Sequence, residues 1–364
     1  MPRLSRALAL VAVFFGVLLG SSALVSRLDP FREVPTLREK WDHWLAHKDD
    51  YDTIFIGTSR MYRGLKPKVF DEVTAAGGVP TRTFNFGVDA MLPPEDAYVA
   101  DYILRHPSKN LRWVFVELGV FLDDFEDRDP NSVRSSHWHD WRRTWLCIRA
   151  NLWPKGKKEK WKKWFTSERG KPWPADIAWT HFRLFVKKSL NLGRGAAALE
   201  ELMLGKGPKP YLLGPKRDGY NPYQDARTLS GPEMAQYMRG LENRQRNPAR
   251  FSQLKTYHQE CFDDEVGVVR AASAKPIALV GPTTGPLRLR PADSSGVPVI
   301  DLCDVHAYPE LFTPDVRIDH AHINDKGADI FSRMVAEQFL NVVKGLPPTR
   351  NPAPGGQNAS PPPR

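Results

Sequence analysis

The sequence predicts an α/β protein with a parallel sheet, and three observations lead to this class. Short apolar runs at residues 52–56, 112–118 and 275–281 have the length and composition of buried strands. Apolar residues recur with helical spacing at residues 94–104 and 324–343. Alternation of strands with helices is typical of parallel sheets, because parallel neighbours need a long crossover connection.

Further elements are predicted in the stretches between these segments. Residues 37–47 are predicted as a short helix, residues 82–87 as a second strand that ends in glycine, and residues 297–302 as a fifth. Residues 230–233 (Ser-Gly-Pro-Glu) have the capping-box pattern with an early proline, so a helix is predicted to begin there. A longer helix is predicted over residues 247–272, opening with Asn-Pro.

Composition divides the chain into five parts. Residues 1–28 are an apolar N-terminal segment, and residues 29–122 and 231–345 are the two parts of the predicted α/β domain. Residues 123–230 are rich in Trp, Lys, Arg, Gly and Pro and break the alternation, which indicates a partly helical insertion. Residues 346–364 are rich in Pro, Gly and Asn, and this tail is predicted to be disordered.

The N-terminal segment predicts a membrane anchor. Arg3 and Arg6 precede an apolar run at residues 7–25, whose helical length approaches the thickness of the hydrocarbon core. A signal peptide cleaved near residues 21–23 is the competing interpretation, but the run is long for one, which favours an uncleaved anchor. The short preceding tail favours an internal N-terminus, although basic residues such as Arg27 also follow the run. Both interpretations place the domain outside the cytoplasm, in the periplasm.

Charge and cysteine content restrict the partners and the chemistry. The net charge of +10 suits lipid head groups, acidic glycans or nucleic acid, and export argues against nucleic acid. Cys147, Cys261 and Cys303 lack metal-ligand spacing and allow one disulfide at most. The sequence therefore predicts no metal or organic cofactor.

Two distant segments supply the residue types of a serine-based catalytic triad. Ser59 follows an apolar run and Gly-Thr, where a nucleophile can stand exposed at the start of a helix. Asp319 precedes His322 by three residues, so a carboxylate and an imidazole can meet at one point. Taken alone, Ser59 is more simply a helix cap and His322 a structural residue. Together they predict a hydrolase or acyl transferase.

These segments resemble the conserved blocks of the SGNH (GDSL-like) hydrolase superfamily. More narrowly, they resemble membrane-anchored, exported members implicated in O-acylation of cell-surface polymers, relatives of alginate acetylation proteins and of the D-alanyl transfer protein of teichoic acid synthesis. Residues 57–60 (Gly-Thr-Ser-Arg) stand where the family usually has Gly-Asp-Ser. Gly87 in Asn-Phe-Gly matches the glycine of the second block, and residues 319–327 match the last block.

The resemblance implies a fold, a set of roles and partners. The implied fold is a three-layer α/β/α, flavodoxin-like SGNH domain with a parallel sheet. Ser59 would be the nucleophile, His322 the base and Asp319 the carboxylate that orients it, and the Ser59 and Gly87 amides would hold the oxyanion. The implied partners are a cell-surface polysaccharide, an acylated donor and a membrane-bound acyl exporter.

The third block departs from the family pattern. Gly-x-Asn-Asp is expected, but residues 116–120 read Val-Glu-Leu-Gly-Val, so an asparagine donor to the oxyanion is missing. Loss of one such donor typically costs ~10²–10³ in rate. Asn85 and Arg60 are candidate substitutes, and Arg60 also suits either an anionic substrate or a surface salt bridge. Glu117 is predicted to be a pocket carboxylate or the partner of a core arginine. The alternative function is a catalytically inactive binding or assembly component of a cell-envelope polymer system.

The insertion combines tryptophan with basic residues. Trp138, Trp141 and Trp145 are predicted to share one helical face. Such a composition has three interpretations: tryptophan packed on the core, contact with a membrane lipid surface, or stacking on a glycan. The tryptophans of this region are Trp138, Trp141, Trp145, Trp153, Trp161, Trp164, Trp173 and Trp179.

Overall fold

The computed structural model describes most of the chain. The described residues are 2–25, 31, 34–119, 125, 131–153, 173–191, 203–204, 209–223, 228–247, 250–285 and 287–346. The predictions for the tail beyond residue 346 and for Trp161 and Trp164 lie outside them.

Helices and strands alternate through both parts of the α/β domain. The helices are α1 (Pro2–Val25), α2 (Pro35–His47), α3 (Ser59–Gly64), α4 (Pro67–Ala76), α5 (Glu95–Leu104), α6 (Val133–His137), α7 (Trp141–Leu152), α8 (Pro174–Ser189), α9 (Gly231–Arg246), α10 (Thr256–Ala271) and α11 (Asp325–Lys344). The strands are β1 (Thr53–Ile56), β2 (Thr83–Asn85), β3 (Trp113–Glu117), β4 (Arg250–Gln253), β5 (Lys275–Val280), β6 (Leu287–Arg290) and β7 (Val299–Asp301).

A five-stranded parallel sheet forms the centre of the domain, which confirms the predicted fold class. Its order is β2-β1-β3-β5-β7. Side chains alternate between its faces: Ile54 and Ile56 pack with α2, α5 and α10, while Phe55 and Phe115 pack with α4, α9 and α11. Helices therefore cover both faces, which is why the strands read as continuous apolar runs.

The strand order creates a crevice at one edge of the sheet. Counted within this sheet alone, the order is 2-1-3-4-5, the arrangement of flavodoxin-like doubly wound sheets. From β1 the chain passes first to β2 on one side and then to β3 on the other. Ligands of such sheets bind beyond the carboxyl ends of the strands at this switch point. The loops after β1 and β3 are therefore where a site is expected.

One predicted helix is wrong at its beginning. The helix predicted from residue 247 begins only at Thr256, because Arg250–Gln253 forms β4. This strand pairs in parallel with β6 in a separate two-stranded sheet. The pairing joins segments far apart in sequence, and local composition carries no signal for such a partner.

The helices flanking this region follow their predictions more closely. The helix predicted at residue 230 begins at Gly231, although the Ser230 side chain makes no capping hydrogen bond. The last helix, α11, is capped by Asn324, whose side chain accepts from the Gly327 amide. Cys147, Cys261 and Cys303 are buried free thiols.

The N-terminal helix is long and apolar enough to cross a membrane. Its apolar stretch, Ser5–Val25, has a mean hydropathy of 2.5, and only 6% of its most apolar window is buried against the rest of the protein. A soluble core helix of this length would be largely covered by other elements. Length, composition and exposure are thus those of a helix that could cross a membrane once, and a signal sequence shares these features.

The described part of the insertion is partly helical and exposes much of its tryptophan. Trp138 does not share a face with Trp141 and Trp145: it follows the end of α6, is buried, and stacks on His139 with ring centroids 3.6 Å apart. Trp141 and Trp145 lie on α7 and are exposed. The predicted three-residue face is therefore wrong for Trp138, because α6 ends before α7 begins.

Candidate active site

The turn after β1 presents Ser59 at the switch point of the sheet. Gly57 is required there, because a Cβ at this position would lie 2.5 Å from Glu117 Oε2. Thr58 caps α3 by accepting from the Arg60 amide, and Ser59 is the first residue of that helix. Among the residues that the structure describes, the Ser59 amide has no hydrogen-bond acceptor. That amide is therefore available to a ligand.

Glu117 at the end of β3 holds this turn in place. Its Oε2 accepts a 2.6 Å hydrogen bond from the Thr58 amide, and its Oε1 lies 2.6 Å from Arg60 Nε. The Glu117 side chain is 1% exposed and that of Arg60 is 10% exposed, so this is a buried ion pair and not a surface salt bridge. Of the two roles predicted for Glu117, the structure shows pairing with arginine.

Ser59, His322 and Asp319 are joined by two short hydrogen bonds. Ser59 Oγ lies 2.8 Å from His322 Nε2, and His322 Nδ1 lies 2.8 Å from Asp319 Oδ2. The two ring nitrogens thus contact different partners, as a base between a hydroxyl and an orienting carboxylate requires. The structure brings together all three residues of the predicted triad.

A tight loop before α11 sets the spacing of the histidine and the aspartate. Ile318 N donates to His322 O across the loop at 3.0 Å. Asp319 Oδ1 accepts from the amides of Ala321 and His322 at 2.7 and 2.8 Å. One carboxylate oxygen therefore shapes the loop while the other faces the imidazole.

The same hydrogen bonds keep Asp319 ionised. Partial burial would raise its pKa, but the hydrogen bonds from the His322 ring and from the Ala321 and His322 amides outweigh burial. They hold the pKa of the Asp319 carboxyl well below its ordinary value. The carboxylate is consequently charged across the range in which an imidazole titrates.

Arg317 anchors this loop, a role that the sequence analysis did not predict. Its side chain is fully buried, and its guanidinium donates to the carbonyls of Pro282, Leu311 and His320. Burial lowers the pKa of this guanidinium. Arg317 joins the loop carrying His322 to the segment that follows β5. An arginine two residues before the Asp-x-x-His pattern looks like any surface arginine until its partners are known.

The amide of Gly87, the glycine predicted for the oxyanion site, already donates a hydrogen bond within the protein. The Gly87 amide donates to Asn85 Oδ1 at 2.8 Å, and Asn85 Nδ2 donates to the carbonyls of Met61 and Leu65 at 2.7 and 2.8 Å. Asn85 is fully buried. In this structure the Gly87 amide and both hydrogens of Asn85 Nδ2 are paired within the protein, and the pair fastens β2 to α3.

Arg60, the other predicted substitute donor, differs from Asn85. Its Nε contacts Glu117, but its Nη2 has no hydrogen-bond partner among the described residues. Arg60 also lines the recess beside Ser59. A guanidinium with one unused donor at this position can serve a developing negative charge.

Lys40 on α2 is a second residue that sequence reasoning missed. Its Nζ lies 2.7 Å from each of three carbonyl oxygens, those of Asn85, Gly87 and Gly219, and no part of the side chain is exposed. Burial lowers the pKa of this ammonium, and the nearby Asp218 and Asp89 oppose the shift. Lys40 thereby joins the loop after β2 to the end of the insertion.

One recess adjoins the triad. It has about 10 Å³, near the space of one water molecule, and is lined by Ser59, Met61, His322 and Phe331 among others. A separate cavity of about 480 Å³ is bordered by Tyr223 and Asn324 and by none of the triad residues. The Tyr223 ring packs edge-on to the His322 ring with centroids 5.8 Å apart, so an insertion residue forms one wall of the site.

No protein-family model matches this chain, and no curated protein shows significant similarity to it. The site is thus characterised by its own geometry: a serine hydroxyl, an imidazole and a carboxylate in line at the carboxyl edge of a parallel sheet.

Proposed function

We propose that this chain is an exported, membrane-anchored, SGNH-like enzyme of acyl-ester chemistry. The observation that carries the proposal is the pair of 2.8 Å contacts that link Ser59 to His322 and His322 to Asp319. A serine is a poor nucleophile unless a base takes its proton, and this arrangement supplies both the base and its orienting carboxylate. The long apolar α1 supports the anchor and the extracytoplasmic location of the domain.

The proposed reaction has two steps through an acyl-enzyme. Ser59 Oγ attacks the acyl carbonyl as its proton passes to His322 Nε2, and the leaving alcohol then takes that proton. A glycan hydroxyl or a water, deprotonated by His322, attacks the ester and regenerates Ser59. The free Ser59 amide and Arg60 Nη2 are the donors we assign to the oxyanion.

The recess beside Ser59 and the larger cavity near Tyr223 bear on the size of the acyl group and on the kind of acceptor. The recess beside Ser59 is small, which favours a short acyl group. The larger cavity is bordered by two tyrosine rings, Tyr220 and Tyr223, and by Lys66 and Lys216. Rings and charged groups of this kind suit a cell-surface polysaccharide as acceptor, and transfer to it requires that water be kept from the ester.

Labelling with a fluorophosphonate tests the proposal. The full chain in detergent is expected to react through Ser59, because the phosphonate mimics the acyl carbonyl and needs an activated hydroxyl. Ser59→Ala is expected to abolish labelling. Ser230→Ala is the matched control, since Ser230 is exposed and its side chain makes no capping hydrogen bond. If the folded wild-type protein did not react, the proposal that this chain is an enzyme would be rejected.

A second function has one observation in its favour. The Gly87 amide is occupied by Asn85, and the block at residues 116–120 lacks the family's asparagine, so fewer donors face the oxyanion than the family pattern requires. This favours a catalytically inactive binding or assembly component of a cell-envelope polymer system. A chain that ignores the phosphonate yet binds an anionic oligosaccharide in titration calorimetry would support that function.

A further inference from the structure

Exposed apolar side chains are concentrated in two places on the described residues. Of the 21 large ones, nine lie on α1 and six lie on or directly beside α7 and α8. Isolated exposed apolar residues are ordinary on soluble proteins, but a contiguous patch marks a surface with a partner. Five of the six residues beside α7 and α8, all but Trp173, belong to one series of ring contacts.

Six aromatic rings on α7 and α8 form an unbroken series of contacts, here called the aromatic strip. Successive ring centroids are 5.5, 6.5, 5.6, 5.7 and 6.0 Å apart. Trp179 is 62% exposed and Trp141 is 58% exposed. In order along the strip the residues are Trp179, Phe182, Phe185, Trp141, Trp145 and Trp153.

The strip passes close to the end of the apolar helix. Ser22, one turn from the end of α1, donates through Oγ to Ser189 O at 2.9 Å, and Asn191 Nδ2 donates back to Ser22 O at 2.9 Å. Ser189 is the last residue of α8, and Phe185, the third ring of the strip, is one helical turn before it. Hydrogen bonds therefore hold the Phe185 part of the strip near the C-terminal end of α1.

Before its last turn, α1 is mostly exposed. From Ser5 to Ser21 its residues are exposed or half-buried, so α8 does not pack along it. The domain thus lies beyond the end of α1 and leaves the flank of that helix open. If α1 spans a bilayer, the Phe185 part of the strip lies near the level where the helix leaves the hydrocarbon core.

We propose that the aromatic strip is a membrane-contact surface that lies in the head-group region of the bilayer that α1 crosses. Indole rings prefer this depth because their apolar body and polar N–H match its two sides. The sequence between Trp153 and Trp173 carries seven lysines and one arginine against two glutamates, which complements anionic lipid. This inference rests on α1 as a membrane span and does not depend on the chemistry of Ser59.

Quenching by brominated lipid tests the proposal on the full chain. Because α1 contains no tryptophan, tryptophan emission reports only on the rest of the protein. The chain is reconstituted into phosphatidylcholine–phosphatidylglycerol vesicles whose acyl chains are brominated or not. We expect bromine to quench part of the wild-type emission. The triple variant Trp141→Ala, Trp145→Ala, Trp179→Ala is expected to lose most of that quenching.

A matched variant and a folding check complete the experiment. Trp113→Phe removes a buried tryptophan of β3 and is expected to leave the quenched intensity unchanged. Circular dichroism establishes that each variant is folded. Absence of quenching in wild type, equal quenching in the triple variant, or release of the chain from vesicles by alkaline wash would each overturn the proposal. The binding partner of the aromatic strip would then be a glycan or a second copy of the chain.

Discussion

The turn after β1 and the loop after β2 look alike in sequence but use their polar groups differently. Both combine a glycine with small polar residues at the carboxyl end of a strand. After β1, Ser59 keeps its amide unpaired and its hydroxyl on His322. After β2, Asn85 and Gly87 give their hydrogen bonds to each other and to the backbone of α3.

The difference shows that the hydrogen-bond partners of a residue decide whether it serves chemistry or architecture. A donor already satisfied inside the protein has nothing left for a transition state, whereas an unpaired donor beside a nucleophile is available. Lys40 reinforces this by holding the Asn85 and Gly87 carbonyls in place. We therefore expect substitutions after β1 and in the loop that carries His322 to change reactivity, and substitutions after β2 to change stability.

The largest effect is expected from His322→Ala. Without its base, Ser59 keeps its proton, and the rate constant of fluorophosphonate labelling is expected to fall ~10⁴-fold. His320→Ala is the control, because His320 is exposed and stands two residues away in the same loop. Equal losses in both variants would point to a damaged loop instead of a lost base.

Glu117→Gln is expected to cost about 4 kcal/mol of unfolding free energy, because it leaves the Arg60 guanidinium buried without its counter-charge. Denaturant unfolding measures the change. Glu72→Gln removes an exposed carboxylate from α4 and is expected to stay within about 0.5 kcal/mol of wild type. A Glu117 variant as stable as wild type would show that the ion pair does not hold the turn.

Asn85→Ala tests the loop after β2. It leaves the Gly87 amide without its acceptor and removes the donors to the Met61 and Leu65 carbonyls, so we expect a loss of about 3 kcal/mol in unfolding free energy. Asn110→Ala, which removes one exposed hydrogen bond, is the matched control. The labelling rate of folded Asn85→Ala is expected to stay far closer to wild type than that of His322→Ala. A loss of labelling rate comparable to that of His322→Ala would indicate that Asn85 contacts the oxyanion.

The smallest effect concerns acid stability. The pKa of Asp319 is lower in the folded chain than the ordinary value near ~3.9. The stabilisation it provides is thus complete above that value and is lost as pH falls towards the folded pKa. Asp319→Asn is expected to flatten the decline of stability below about pH 4. Asp263→Asn, at an exposed position of α10, serves as control, and parallel pH curves for wild type and Asp319→Asn would contradict the prediction.

Much of the central fold follows from local sequence. All five strands of the large sheet coincide with predicted strands, within a few residues at their ends, and three of the five were predicted from apolar runs. Strands buried on both faces need such runs, and a helix on one face needs apolar residues at its own period. The β4–β6 sheet was not predicted, because each strand is stabilised by a backbone partner that no local pattern identifies.

For the site, the sequence by itself determined which chemical groups are present: a serine after a strand, an Asp-x-x-His pattern and a long apolar N-terminal helix. Only the tertiary structure decided which of them meet. Ser59 and His322 are 263 positions apart yet 2.8 Å from each other, whereas Gly87, predicted beside them as a donor, is bonded to Asn85. Local periodicity fixes where a strand or helix lies. The partner of each donor depends on which distant segments the packed core brings together.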